Sequence, residues 1–194
     1  MDRLRRQMEF LLEADKLKTI VRRNHLSDGS RRENDAEHSW YFALAALVLA
    51  EHAREPVDLA RVLRIALIHD LVEIDAGDAF IYDAAATAAQ AEREERAAAR
   101  LYGLLPEDQA AELLALWREF ERAETKEARY AKAIDRLAAV ILNHASQGLT
   151  WRQHGVRKQQ ILAVNEKIAA GAPPLWEHVR GLIEDAAARG WIEP

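Results

Sequence analysis

The sequence predicts an all-α fold, a bundle of seven to nine helices. Apolar residues recur at the 3.6-residue spacing of a helix along nearly the whole chain. No run alternates with the two-residue period of a half-buried strand. The polar breaks carry residues that start helices, Asn34, Asp58 and Thr125, and residues that end them, Gly77, Gly103 and Gly171.

Leu4, Met8, Leu11, Leu12 and Ile20 follow helical spacing, so residues 2–20 read as one amphipathic helix. Residues 22–35 hold Asn24, Ser27, Asp28, Gly29 and Ser30 and read as a polar loop. Asn34 caps the next helix and Glu37 closes a capping box. That helix is expected to run to about Arg54, before Pro56. Asp58 caps a third helix through Ile65, Leu67, Ile68 and Leu71. Apolar residues lie on several of its sides, which places it centrally, and the stretch from Asp75 to Asp78 breaks it. Residues 84–102, rich in Ala, Glu and Arg, give a polar-faced helix, and residues 107–122 another. Thr125 opens a helix to roughly Asn143. Gly148 and Gly155 bracket a turn with Trp151 and His154. A helix over about 156–170 stops at Gly171, and a last one follows from Leu175.

A chain of 194 residues suits a single domain, 1–194, with a core over about 10–160 and a helical extension over about 161–194. It contains no cysteine, which excludes disulfides and thiolate ligands. Its net charge of −5, with signs intermixed, argues against binding duplex nucleic acid. No apolar run approaches the roughly 20 residues of a membrane span. The first residues lack the apolar stretch of a secretion signal, so a cytoplasmic location is expected. One local basic cluster, Arg22, Arg23, Arg31 and Arg32, stands out.

His38, the pair His69-Asp70, and Asp135 are the candidate metal ligands. A bare His-Asp pair arises often by chance, but the context is specific. Asp70 closes an apolar helix, where an unpaired ionised acid is costly. Asp135 is flanked by Ala133, Ile134, Leu137, Ala138 and Val140, again an apolar setting for an acid. Two imidazoles and two carboxylates suit a borderline-hard divalent cation with open positions for water and substrate. The structural alternatives pair Asp135 with Arg136 or Lys132 and make His38 a core histidine.

Four stretches together resemble the HD-domain phosphohydrolase superfamily. They are Glu33-Asn34-Asp35-Ala36-Glu37-His38-Ser39-Trp40, the run from Ile68-His69-Asp70 to Gly77-Asp78, Lys132-Ala133-Ile134-Asp135-Arg136-Leu137, and Trp151-Arg152-Gln153-His154-Gly155-Val156. Within that superfamily the chain is most similar to the 5′-deoxynucleotidase type, which are nucleoside 5′-monophosphate phosphatases. The resemblance implies His38, His69, Asp70 and Asp135 as ligands of one divalent metal (Mn, Co, Fe, Zn or Ni), an all-helical bundle and a homodimer. The C-terminal tryptophan-containing helices are one candidate surface for pairing.

Glu73 lies one helical turn beyond His69 and Asp70, on their face. A carboxylate there can hold a metal-bound water and take its proton. Asp78 lies in the glycine break, as a general acid for the leaving oxygen or a second orienting carboxylate. The resemblance gives both positions a functional role; the structural alternative pairs Glu73 with Arg64 or Lys132 and makes Asp78 the cap of a short helix. A phosphomonoester also needs a cation on its non-reacting oxygens. The family's phosphate-contacting arginine falls at Arg22 or Arg23, and the sequence does not choose between them. The deoxynucleotidases carry an aromatic residue soon after that arginine, where this chain has Asn24-His25.

The expected function is hydrolysis of nucleoside 5′-monophosphates, deoxynucleoside 5′-monophosphates first among them, to nucleoside and phosphate, with a metal-bound water as nucleophile. The alternatives are another phosphoester or a non-catalytic nucleotide- or metabolite-binding sensor. A two-iron oxygenase needs further histidines, and none lies between His69 and His144.

Overall fold

The computed structural model describes residues 2–82 and 90–193. Their helices are α1 (Arg3–Ala14), α2 (Asp35–Val48), α3 (Leu59–Ile68), α4 (Glu73–Ala76), α5 (Gln90–Tyr102) and α6 (Glu107–Arg122). They continue with α7 (Lys126–Ala145), α8 (Leu149–Gln153), α9 (Lys158–Asn165), α10 (Ile168–Gly171) and α11 (Pro173–Ala188). The fold is a helical bundle, and the expected helix over 84–102 is seen from Gln90; its first residues lie outside the described ones.

The expected loop over 22–35 is instead a β-hairpin. Strand β1 (Val21–His25) pairs antiparallel with β2 (Arg32–Asn34), with Val21 opposite Asn34 and His25 opposite Arg32. Gly29, at φ +72°, makes the turn between them, in a region glycine enters without strain. Alternation failed as a signal because the strands carry few apolar side chains and an irregularity interrupts their register. The first helix is also shorter than expected. It ends at Ala14, and a 3₁₀ segment over Asp15–Thr19 turns the chain so that Leu17 is buried. Likewise α2 stops at Val48, before a 3₁₀ turn over Ala50–His52.

Three predicted caps form as expected. Asn34 accepts from the Glu37 amide while Glu37 accepts from the Asn34 amide, both at 3.0 Å. Asp58 accepts from Arg61 N at 3.2 Å and Thr125 from Ala128 N at 3.1 Å. The Pro173-Pro174 pair opens α11 rather than preceding it, because its missing N–H groups fall where a helix leaves them unused.

Helix α7 runs through the middle of the bundle, against α2, α3, α6, α10 and α11. Tyr130, Ile134 and Leu137 are among its fully buried residues. Phe42 of α2 and Ile65 of α3 join the same core, which reaches Ile192. No described helix is long and apolar enough to cross a membrane. The large exposed apolar residues lie on the N-terminal half of the chain, Leu4, Met8, Leu11 and Leu12 on α1 and Trp40, Leu44, Leu47 and Val48 on α2. Trp176 and Trp191, by contrast, pack against the core.

Candidate metal centre

Four elements bring the predicted ligands together. The capping box fixes the start of α2, and His38, one turn on, is fully buried. Its Nε2 lies 2.9 Å from Asp135 Oδ1 on α7. His69 caps the C-terminus of α3, its ring set edge-on against Phe42 and Phe120, each at 5.1 Å between centroids. Asp70 follows in a tight turn and reaches His69 Nε2 at 3.1 Å and His38 Nε2 at 3.9 Å through Oδ2. One ligand atom each from His38, His69 and Asp135 lie within 4.8 Å of one another. Asp35, Asp70 and Glu73 form a second such group, also within 4.8 Å.

The donor set fits a divalent cation. His69 Nδ1 donates to the Ala66 carbonyl at 3.0 Å, and a carbonyl only accepts. Nδ1 therefore carries the proton of the neutral ring, and Nε2 presents a lone pair. That lone pair faces the Asp70 carboxylate and makes no hydrogen bond. Two acceptors pointed at each other in a buried site are resolved by a cation or a proton. His38 can take the same tautomer, because Glu33 Oε2 lies 3.7 Å from its Nδ1.

Arg22, not Arg23, reaches the centre. Its Nη1 donates to Asp70 Oδ2 at 2.7 Å and Asp35 Oδ1 at 3.1 Å, and its Nε lies 3.7 Å from Glu33 Oε2. Arg23 is exposed at the lining of the adjoining cavity and makes no ion pair among the described residues. Arg31 pairs with Glu37 on the surface. The structural alternatives for the acids are not realised: Arg64 pairs with Glu112, Lys132 with Glu121, and Asp135 with His38.

Sequence reasoning missed Glu33 and Asp35 as members of this centre; both are buried. A signal for Asp35 was present, since it precedes His38 by three residues and so shares its helix face.

The acids outnumber the cations here, and their protonation shows it. Burial, then the charges of Asp70 and Asp35, push the Glu73 carboxyl up to about 12. Burial and the charge of Asp70 raise Asp35 to about 6. Burial raises Glu33 to about 7 and also lifts Asp78. Burial opposes the charge of Asp70, but His69 and Arg22 more than reverse this and hold it below the ordinary carboxylate range. His38 does the same for Asp135.

These shifts set a pH dependence for the metal-stripped protein. A carboxyl raised in the folded state binds more protons there than when unfolded, so its contribution is lost as pH rises. For Glu33 the window runs from 4.5 to about 7, and for Asp35 from 3.8 to about 6. Glu73 and His69, both raised, act in the same direction, and His38, lowered by burial, opposes them. The melting temperature in chelator should fall between pH 5 and 7. Saturating divalent metal, which binds deprotonated ligands, should remove or reverse that fall. A stripped protein that melts higher at pH 7 than at pH 5 would contradict this account.

The centre forms one wall of a cavity of about 340 Å³. Glu73 and Asp78 line it beside Asp70 and Asp135. Asn24 lines it too, and its Oδ1 accepts from Asn143 Nδ2 at 3.1 Å. His25 instead meets Thr150 Oγ1 at 3.2 Å. Trp151 is buried and contributes to the cavity wall.

Comparison with known proteins adds three findings. The sequence profile of the HD domain family matches residues 14–176. The 5′-deoxynucleotidase HDDC2 of Bos taurus is 31% identical over 138 residues, 71% of this chain and 66% of that protein. Its Homo sapiens counterpart is 30% identical over 135 residues, 69% of this chain and 65% of that protein. The chain thus spans about two thirds of the length of these curated relatives. Among solved structures, a protein described as a predicted metal-dependent phosphohydrolase from Magnetospirillum magnetotacticum MS-1 is similar over 99% of both chains, with a TM-score of 0.93 and 52% identity. A conserved hypothetical protein from Pyrococcus furiosus has a TM-score of 0.62 at 27% identity, over 93% of this chain and 99% of that one.

Proposed function

From the premise that this chain belongs to the HD domain family, we propose that it is a divalent-metal-dependent phosphomonoesterase. It hydrolyses nucleoside 5′-monophosphates, deoxynucleotides among them, to nucleoside and phosphate. The observation that carries this reading is the convergence of His38, His69, Asp70 and Asp135 beside two half-buried acids on a cavity wall.

His38, His69, Asp70 and Asp135 would hold the metal, which would supply Lewis-acid polarisation of a phosphoryl oxygen and a water acidic enough to attack near neutral pH. Arg22 fixes Asp70 and Asp35 by its ion pairs, and with Arg23 it offers N–H donors to the non-reacting phosphate oxygens. Glu73 keeps its proton while the site is metal-free and releases it beside a cation's charge. The carboxylate, whose Oε2 has no hydrogen-bond partner among the described residues, is then left to hold the attacking water and accept its proton. The water oxygen bonds to phosphorus as the bond to the ester oxygen breaks. Asp78, whose raised carboxyl retains a proton more readily than an exposed aspartate, protonates that leaving oxygen.

Asn24 stands on the cavity wall where the deoxynucleotidases carry an aromatic residue. Its amide can hydrogen-bond a ribose 2′-hydroxyl, so ribonucleotides are expected to be accepted beside deoxyribonucleotides. The homodimer belongs to the same proposal, paired through the exposed apolar faces of α1 and α2. That surface replaces the C-terminal helices considered from the sequence, whose tryptophans are packed inward. A monomer throughout sedimentation would remove it.

The test is phosphate release from ribo- and deoxyribonucleoside monophosphates by protein stripped of metal and reloaded with Mn, Co, Zn or Mg. Metal-dependent release is expected from monophosphates and not from di- or triphosphates. Silence across the panel with metal bound would move the function to another phosphoester or to a non-catalytic sensor.

A further inference from the structure

Arg136 follows Asp135 on α7 and lines the same cavity. Among the described residues its half-buried guanidinium makes no ion pair, and its Nε is buried without a hydrogen-bond partner. Its neighbours on this wall differ: Arg22 is held by Asp70 and Asp35, and Lys132 by Glu121.

Tyr82 lies close enough to feel the charge of Arg136, and both line the cavity. Asn143, two turns along α7, is 4% exposed. Its Nδ2 donates to the Ala139 carbonyl at 2.9 Å, which fixes the amide's orientation, since a carbonyl only accepts. Asn143 Oδ1 is then the acceptor left over, buried with no partner. Trp151 is 1% exposed, and its Nε1, an indole's only donor, is turned toward the Tyr82 hydroxyl. Tyr82 lies close to Trp151 and Asn165, and all three line the cavity. The rise of α7 from Asp135 to Asn143 is about 12 Å, so the amide lies well away from the carboxylates, with Arg136 between the two.

A guanidinium only donates, so its missing partner is an acceptor. A second phosphate would call for a free cation beside Arg136, and the nearest one on α7, Lys132, is held by Glu121. An indole, a phenol and two amides suit a flat neutral heterocycle instead. A guanidinium N–H donates to any ring carbonyl oxygen, and in guanine the fork reaches the O6 and N7 acceptors together. Building on the nucleotide reading above, we propose that Arg136 recognises the base of the substrate. It selects bases that carry a ring carbonyl (guanine, uracil, thymine and cytosine) over adenine, which has none. Asn143 and Trp151 complete the pocket.

The experiment measures kcat/KM of the metal-loaded enzyme for GMP, UMP, dTMP, AMP and ribose 5-phosphate, in the wild type, Arg136→Gln and Arg136→Lys. The wild type should favour the carbonyl bases over AMP by about tenfold or more. Arg136→Gln should cut that ratio about tenfold, the worth of one charged hydrogen bond. Arg136→Lys keeps the charge but loses the planar fork, so it should restore only part. The ratio is the readout because damage to the fold or to Asp135 lowers every substrate alike. No wild-type preference, an unchanged ratio in the variants, or an equal drop on all substrates including ribose 5-phosphate would overturn the assignment while leaving nucleotide hydrolysis standing. Hydrolysis of ribose 5-phosphate but of no nucleotide would overturn the nucleotide reading, and this assignment with it.

Discussion

Asp70→Asn is expected to cost at least about a hundredfold in turnover, since losing mere supports of ligands already costs 10- to 100-fold. The change is nearly isosteric, so its effect is electrostatic. Asp70 Oδ2 is the atom on which Arg22 Nη1, at 2.7 Å, and His69 Nε2, at 3.1 Å, converge. A neutral amide supplies no charge to a cation and can turn an N–H toward His69. Stability in chelator should fall too, because His69 and Arg22 hold Asp70 below the ordinary carboxylate range and its charge therefore stabilises the metal-free fold. The repulsion it exerts on Asp35 and Glu73 offsets part of the loss. Arg22 retains Asp35 and Glu33 as partners. In the wild type, metal at a hundred times its Kd should add about 2.7 kcal/mol, and the variant should lose most of that gain. Turnover and melting curves with and without Mn check both halves. Activity within tenfold of wild type would mean that Asp70 is not a ligand.

Gly171→Ala is expected to destabilise the fold by about 3 kcal/mol, at the upper end for overpacking. The melting temperature would drop by on the order of 10 °C. A β-carbon there would lie 2.1 Å from the Arg129 carbonyl oxygen, 2.5 Å from its carbon and 2.8 Å from Tyr130 Cα. All three atoms belong to the backbone of the central helix, which cannot step aside as a side chain can. If α7 is pushed, Asp135, about a turn and a half further along, moves relative to His38. Weaker metal binding should therefore accompany the lower melting temperature. Gly181→Ala on α11 is the control. Nothing lies within 4 Å of its added carbon, and alanine is the better helix former, so it should be neutral or stabilising by up to about 1 kcal/mol. Equal melting temperatures for the two variants would refute the close-approach argument.

Much of the helical framework was legible because caps are local chemistry. Asn34, Asp58 and Thr125 each satisfy an amide two or three residues away, so spacing alone identifies them. The hairpin was not legible, since its pairing joins residues about ten apart through backbone groups that every sequence shares. Its consequence is large, because β1 carries Arg22 into the acid cluster while leaving Arg23 exposed. Adjacent residues on a strand point to opposite faces, and only the strand assignment makes that choice.

The sequence by itself determined the helical class, the capped starts of α2, α3 and α7, and the four His and Asp side chains with a chemical reason to meet. Those follow from periodicity and from the cost of placing an acid in apolar surroundings. The tertiary structure alone decided that Asp35 and Glu33 join them, that Arg22 is the central arginine, and that Arg136 lines a cavity with no ion-pair partner among the described residues. The reason is that charge balance in a buried site is a sum over neighbours from distant segments. Which neighbours enter that sum is fixed by packing, here by how closely α2, α3 and β1 approach α7.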